Sequence, residues 1–96
     1  MFGKTTTNHM LRIEYDSEKW CEPEIYPYQS INVHPFNSTL HYAITCYEGM
    51  KAYKGVDNKI RLMRPMDNMA RLTTSMQRLG MIAPWDNEEL LKCITE

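Results

Sequence analysis

Hydrophobic and polar positions change rhythm several times along this chain, and each change marks an element. The run HMLRIEY, His9 to Tyr15, alternates well enough to predict a strand. DSEKWCEPE follows as a polar loop, and IYPYQSINVHP predicts a second extended stretch, broken by Pro27 and closed by Pro35. Proline inside that stretch places it at an edge or on a bend, because it cannot donate to a ladder. NSTLHYAITCYEGM opens with the cap-type residues Asn37, Ser38 and Thr39. It then sets Leu40, Ala43, Ile44 and Tyr47 at helical spacing, which predicts a helix ending at Gly49.

The next stretch predicts a hairpin: Lys51 to Tyr53 and Ile60 to Met63 lean towards β structure and flank a Gly-Val-Asp-Asn turn. A helix should begin at Pro65, whose missing N–H costs nothing in a first turn, with Asp67 at the positive end of the dipole. Met69, Leu72, Met76 and Leu79 form its apolar stripe, and Gly80 ends it. A last helix opens near Asp86 and reaches Glu96 without a C-cap glycine, as expected of a chain that is cut rather than finished. The order is strand, strand, helix, hairpin, helix, helix, an α+β pattern. No internal repeat interrupts it.

Composition narrows the reading. Ninety-six residues make one domain or a piece of one, and a chain this short buries only about 60–65% of its unfolded surface. An apolar fraction of 43% and a charged fraction of 24% are ordinary for a globular protein. A net charge of −1 with mixed signs offers no basic stripe for nucleic acid and no polybasic cluster for a membrane. Cys21, Cys46 and Cys93 are odd in number and widely spaced. They form neither a disulfide framework nor a zinc pair, and fit reduced thiols in an intracellular compartment. No run approaches membrane-spanning length, and MFGKTTTNHM holds no signal-peptide core.

Few residues stand out for chemistry. Arg71 lies off the apolar stripe of its helix, aligned with Ser75 and Arg78, where its guanidinium can grip an anion in two-pronged fashion. Pattern alone gives it a plainer part, an i,i+4 ion pair with Asp67. His9, His34 and His41 lack metal-ligand spacing. Tyr42 and Tyr47 can be buried aromatics or walls of an apolar pocket. Lys4, Lys19, Lys51, Lys54, Lys59 and Lys92 have no buried apolar surroundings of the kind that deprotonate a covalent-catalysis lysine. These residues by themselves do not describe an enzyme.

Several blocks in fixed order carry a resemblance: Leu40-His41-Tyr42, Tyr47 to Gly55 (YEGMKAYKG), Ile60 to Pro65 (IRLMRP), Asn68 to Arg71 (NMAR) and Ser75 to Arg78 (SMQR). Together with FGKTTTNHML near the start and EELLKCI near the end, they resemble the N-terminal region of branched-chain amino acid aminotransferases, fold type IV pyridoxal-phosphate enzymes. The match runs over nearly the whole chain. It departs from the family at Tyr47, where phenylalanine is usual, and at NMAR, where animal members commonly have NMDR.

The resemblance implies a fold and a set of roles. Residues 1–96 would be a single partial domain, the front of the small N-terminal domain, with strands and a hairpin packed with about three helices. Arg71 would hold the phosphate of pyridoxal 5′-phosphate, which reverses the plainer reading of it. Phe2, Tyr42 and Tyr47 would line the pocket for the substrate's aliphatic side chain, with a glycine allowing a tight turn beside them. The implied reaction moves the amino group of leucine, isoleucine or valine to 2-oxoglutarate, so the partners are amino acids and 2-oxo acids. The whole enzyme would be a homodimer, cytoplasmic or mitochondrial, with the cytoplasm as the expectation. The catalytic lysine belongs to the family's later domain, and no lysine here corresponds to it. The alternatives are a truncated, non-catalytic chain that pairs with full-length partners, or another fold type IV enzyme such as a D-amino acid aminotransferase or an aminodeoxychorismate lyase.

Overall fold

A computed structural model of the chain describes residues 3–96, which fall into two compact units, 3–33 and 34–96. The first is built on antiparallel pairing between β1 (His9–Arg12) and β4 (Glu24–Pro27), with Met10 opposite Tyr26 and Arg12 opposite Glu24. Arg12 lies over the Tyr26 ring, 4.7 Å from its centre, and donates to Glu24 at 2.7 Å. Tyr26, the most covered residue described in this unit, is thus sealed by a cation and a cross-strand ion pair. Pro27 ends β4 opposite His9, where its missing donor is tolerated.

The expected polar loop after β1 is a tight hairpin instead. β2 (Tyr15–Asp16) pairs with β3 (Lys19–Trp20) through a two-residue turn in which Ser17 and Glu18 both take positive φ, 49° and 68°. Two left-handed residues match the right-handed twist of the flanking strands. The Tyr15 and Trp20 rings, directly opposite at 5.1 Å between centres, hold the turn closed.

In the second unit, Asn37 caps α1 (Ser38–Tyr42) by accepting from the Thr39 N–H at 2.8 Å. The helix does not run to Gly49. Ala43 takes a left-handed conformation (φ 53°, ψ 31°), and the Thr39 hydroxyl donates to the Ile44 carbonyl at 3.0 Å. That closes the helix after five residues and leaves 43–51 irregular.

β5 (Ala52–Lys54) and β6 (Ile60–Leu62) form the expected hairpin. Its turn is tied by Asp57, which accepts from the Lys59 N–H and, through both oxygens, from Arg61 at 2.9 and 2.6 Å. A Cβ at Gly55 would lie 2.6 Å from Asp57 Oδ1 and 2.7 Å from Arg61 Nη1, so a side chain there would push this ion pair aside.

α2 (Pro65–Arg78) starts at Pro65 as expected and is followed by Gly80 at φ +74°. The Met81 N–H returns to the Met76 carbonyl at 2.9 Å, a C-terminal closure of Schellman type. Asp86 caps α3 (Asn87–Thr95) by accepting from the Glu89 N–H at 2.8 Å. On the α2 stripe, Met69 is only 3% exposed, Leu72 and Met76 are half-buried, and Leu79 is exposed. The fold is α+β, with short antiparallel strand pairs and three helices. Among the described residues no helix is long and apolar enough to cross a membrane, and no cluster of His, Cys, Asp and Glu could hold a metal ion.

Candidate functional site

Arg71 sits in the second turn of α2 and does not reach back to Asp67. Asp67 is taken by Arg64, its neighbour at i−3, at 2.6 Å. Arg71 instead meets Glu48, from the irregular stretch before β5, 23 positions earlier in sequence. Its Nε donates to Glu48 Oε2 at 2.6 Å, and its Nη2 donates to Oε1. The carboxylate is further held by Asn68, one turn before Arg71, whose Nδ2 donates to Oε1 at 3.0 Å, and by the Gly49 N–H at 2.9 Å. The same Nδ2 reaches the Gly49 carbonyl at 2.9 Å. Glu48 thus pins the 43–51 stretch to α2 through three donors.

The two partners differ in access. The Glu48 side chain is 8% exposed and that of Arg71 is 68% exposed. Bonds from Arg71 and Asn68, reinforced by the Gly49 N–H, hold the Glu48 carboxyl down at about 2, well below its ordinary value, and Glu48 raises the Arg71 guanidinium in turn. The pair is fully ionised across all physiological conditions.

A guanidinium carries five N–H groups along a side edge and an end edge. Glu48 occupies the side edge, Nε with Nη2. The end edge, Nη1 with the second Nη2 hydrogen, has no partner among the described residues. Two open grooves meet at Arg71. One, about 480 Å³, brings Lys51, Arg64 and Arg71 together with a single carboxylate, Asp67, which is paired to Arg64. The other, about 500 Å³, is lined by Tyr47, Glu48, Gly49, Arg71 and Ser75.

The unpaired end edge of Arg71, which borders both grooves, is a donor pair that fits a phosphate, with Lys51 in the first groove and the Ser75 hydroxyl in the second as further donors. Gly49 borders both grooves, and a side chain there would meet nothing within 4 Å. Neither Gly49 nor Gly55 takes a positive φ, so the backbone at neither position demands glycine. A third cavity, about 310 Å³, lies between α2 and α3 beside Leu72, Met76 and Leu90, and its Thr73, Asp86 and Asn87 side chains are hydrogen-bonded. Asp86 caps α3, and Asn87 Oδ1 lies 2.9 Å from the Thr73 hydroxyl.

Of the residues expected to line a substrate pocket, Tyr47 borders the second groove but is 91% exposed, so it walls nothing apolar among the described residues. Tyr42, at the end of α1, is 78% exposed and borders neither groove; its ring neighbour is His41. Phe2 lies outside the described residues. Glu48 and Asn68 were not among the candidates from sequence, since no local spacing ties position 48 to position 71.

No family model matches the chain. Individual proteins do. It is 50% identical over its whole length to a branched-chain-amino-acid aminotransferase of Monosiga brevicollis, 48% over 98% of its length to the mitochondrial enzyme of Bos taurus, and 48% over its whole length to the cytosolic enzyme of Mus musculus. The chain spans about a quarter of the length of each, 25%, 24% and 25% respectively. Identity at this level, across both units, makes the chain a relative of the branched-chain-amino-acid aminotransferases, corresponding to their N-terminal part.

Proposed function

We propose that this chain serves a branched-chain-amino-acid aminotransferase as the part of its small domain that anchors the cofactor phosphate, with Arg71 as the anchor. The reading rests on the identity to such enzymes and, above all, on one feature of the site: Arg71 is held by Glu48 along one edge while its other edge stays open. When bound, pyridoxal 5′-phosphate supplies the electron sink that lets an amino group leave leucine, isoleucine or valine and pass to 2-oxoglutarate.

The residues of this chain bind and orient. Arg71 takes phosphate oxygens on its end edge, and the Ser75 hydroxyl, four residues on, adds a donor from the same groove. Gly49 borders both grooves and adds no side chain to either. Tyr47, with Tyr42 and Phe2, contributes the aromatic side of the substrate pocket once the rest of the enzyme covers them. The whole enzyme works as a homodimer. The covalent lysine comes from outside these residues, so the chain by itself carries no transaminase activity. A borohydride-stable cofactor adduct at one of its own lysines would contradict that.

The test is cofactor retention in the holoenzyme carrying this chain. Arg71→Ala is expected to release cofactor on dialysis about ten- to a hundredfold faster than wild type, the scale of a lost charge-assisted fork. Arg71→Lys should fall between the two. Arg78→Ala, exposed in the last turn of α2, should match wild type. Retention unchanged in Arg71→Ala would remove Arg71 from the site.

A further inference from the structure

Glu48 presents a difficulty that the anchor reading leaves open. A covered carboxylate beside an anion site should repel the anion, yet Glu48 is held in place by Arg71, Asn68 and the Gly49 N–H together. We propose that Glu48 is the positioning residue of the phosphate anchor: it fixes the plane of the Arg71 guanidinium so that its end edge is presented to the phosphate.

The geometry supports this in three steps. An arginine side chain two-thirds exposed on a helix would otherwise sample many rotamers, and binding would have to order it. The two-pronged contact with Glu48 removes that freedom beforehand and uses only the side edge. Glu48 is in turn immobile, because Asn68 projects from the same helix as Arg71 and bonds both the Glu48 carboxylate and the Gly49 carbonyl. Glu48, Asn68 and Arg71 therefore move as one piece with α2. The carboxylate stays ionised throughout the working range, so the clamp does not loosen with pH.

The inference rests on the reading of Arg71 as phosphate anchor, and the test separates the two. Apoenzyme of wild type, Glu48→Ala, Glu48→Gln, Arg71→Ala and the Glu48→Ala/Arg71→Ala double variant is titrated with pyridoxal phosphate and with pyridoxal, followed by absorbance. The quantity compared is the preference for the phosphorylated form. Pyridoxal lacks the phosphate, so a merely structural loss weakens both ligands alike and leaves the preference unmoved.

The expected result is a drop in preference of about tenfold for Glu48→Ala, in line with losses at outer-shell partners of metal ligands. Glu48→Gln keeps an oxygen acceptor but places an amide against an arginine N–H, so it should drop less. In the Arg71→Ala background, Glu48→Ala should cause no further drop, because it acts only through Arg71. A preference that is unchanged or raised in both Glu48 variants overturns the proposal and makes Glu48 a structural or opposing charge. A further drop in the Arg71→Ala background also overturns it. An unchanged preference in Arg71→Ala itself would strike down the anchor reading first, and this inference with it.

Discussion

A compact monomer of 11.4 kDa presents about 5,800 Å² of surface to water, from the scaling of area with mass, whereas this chain presents 8646 Å². Counting the two units as separate compact bodies raises the expected value only to about 6,900 Å². The excess, roughly 1,700 to 2,900 Å², is the size of a large permanent interface. It has an apolar character: among the described residues only Tyr26 and Met69 are buried hydrophobics, while Phe36, Leu40, Tyr47, Val56, Ile60 and Ile82 lie open. The perturbation is therefore isolation itself. Produced alone, the chain should bind a hydrophobic dye such as anilinonaphthalene sulfonate, self-associate at micromolar concentration in sedimentation, and melt over a broad range without a cooperative step. Differential scanning calorimetry on the same sample reads the last point. A monomer by sedimentation with a sharp calorimetric transition would refute the reasoning, because two buried hydrophobics among the described residues are too small a core for a cooperative melt.

Two further outcomes follow from the described geometry. Glu48, with its carboxyl lowered to about 2 from an ordinary 4.5, contributes stability that is fully present above about pH 4.5 and lost as the pH falls towards 2. Cofactor retention should therefore show no step between pH 5 and 8 that Glu48→Gln abolishes, and observing such a step would refute the assignment. Gly80 sits at φ +74° with nothing near its missing side chain, so Gly80→Ala carries only the left-handed backbone penalty of about 1 kcal/mol. Hydrogen exchange should show about a fivefold loss of protection at the Met81 N–H, which closes α2 onto Met76, and no change there would contradict it.

What was legible in the sequence was what depends on near neighbours. Pro65 at the first helical position, Gly80 past the end and Asp86 at a cap each fix an element within a few residues, and all three stand where expected. The turn around Asp57 and Asn58 is of the same kind. Where reading failed, a competing local bond or a distant partner had won. Leu40, Ala43, Ile44 and Tyr47 have helical spacing, yet the Thr39 hydroxyl takes the Ile44 carbonyl and Ala43 turns left-handed. Ser-Glu is not a usual pair for a hairpin turn, so the Ser17–Glu18 turn was hidden. The Tyr15 and Trp20 rings that close it give a signal only once their pairing is known. The site divides likewise. Arg71 was visible through a family resemblance, but i,i+4 reasoning gave it the wrong partner, and Glu48 lies too far away in sequence for any periodicity to find.

The same clamp explains why position 71 should demand arginine rather than any cation. A guanidinium has two edges and can face Glu48 on one and a phosphate on the other. A lysine ammonium in Arg71→Lys concentrates its charge on one nitrogen. Glu48, covered and already fixed by Asn68 and the Gly49 N–H, would draw that nitrogen to itself and away from the phosphate. Glu48→Gln should then have opposite effects in the two backgrounds. With Arg71 present it removes part of the clamp and speeds cofactor release. With Arg71→Lys it frees the ammonium from a competing carboxylate, so the double variant should retain cofactor longer than Arg71→Lys alone. Dialysis of the four holoenzymes side by side, followed by absorbance, gives the signs directly. If Glu48→Gln speeds release in both backgrounds, lysine does not have to choose between two anions, and the two-edged use of Arg71 is wrong.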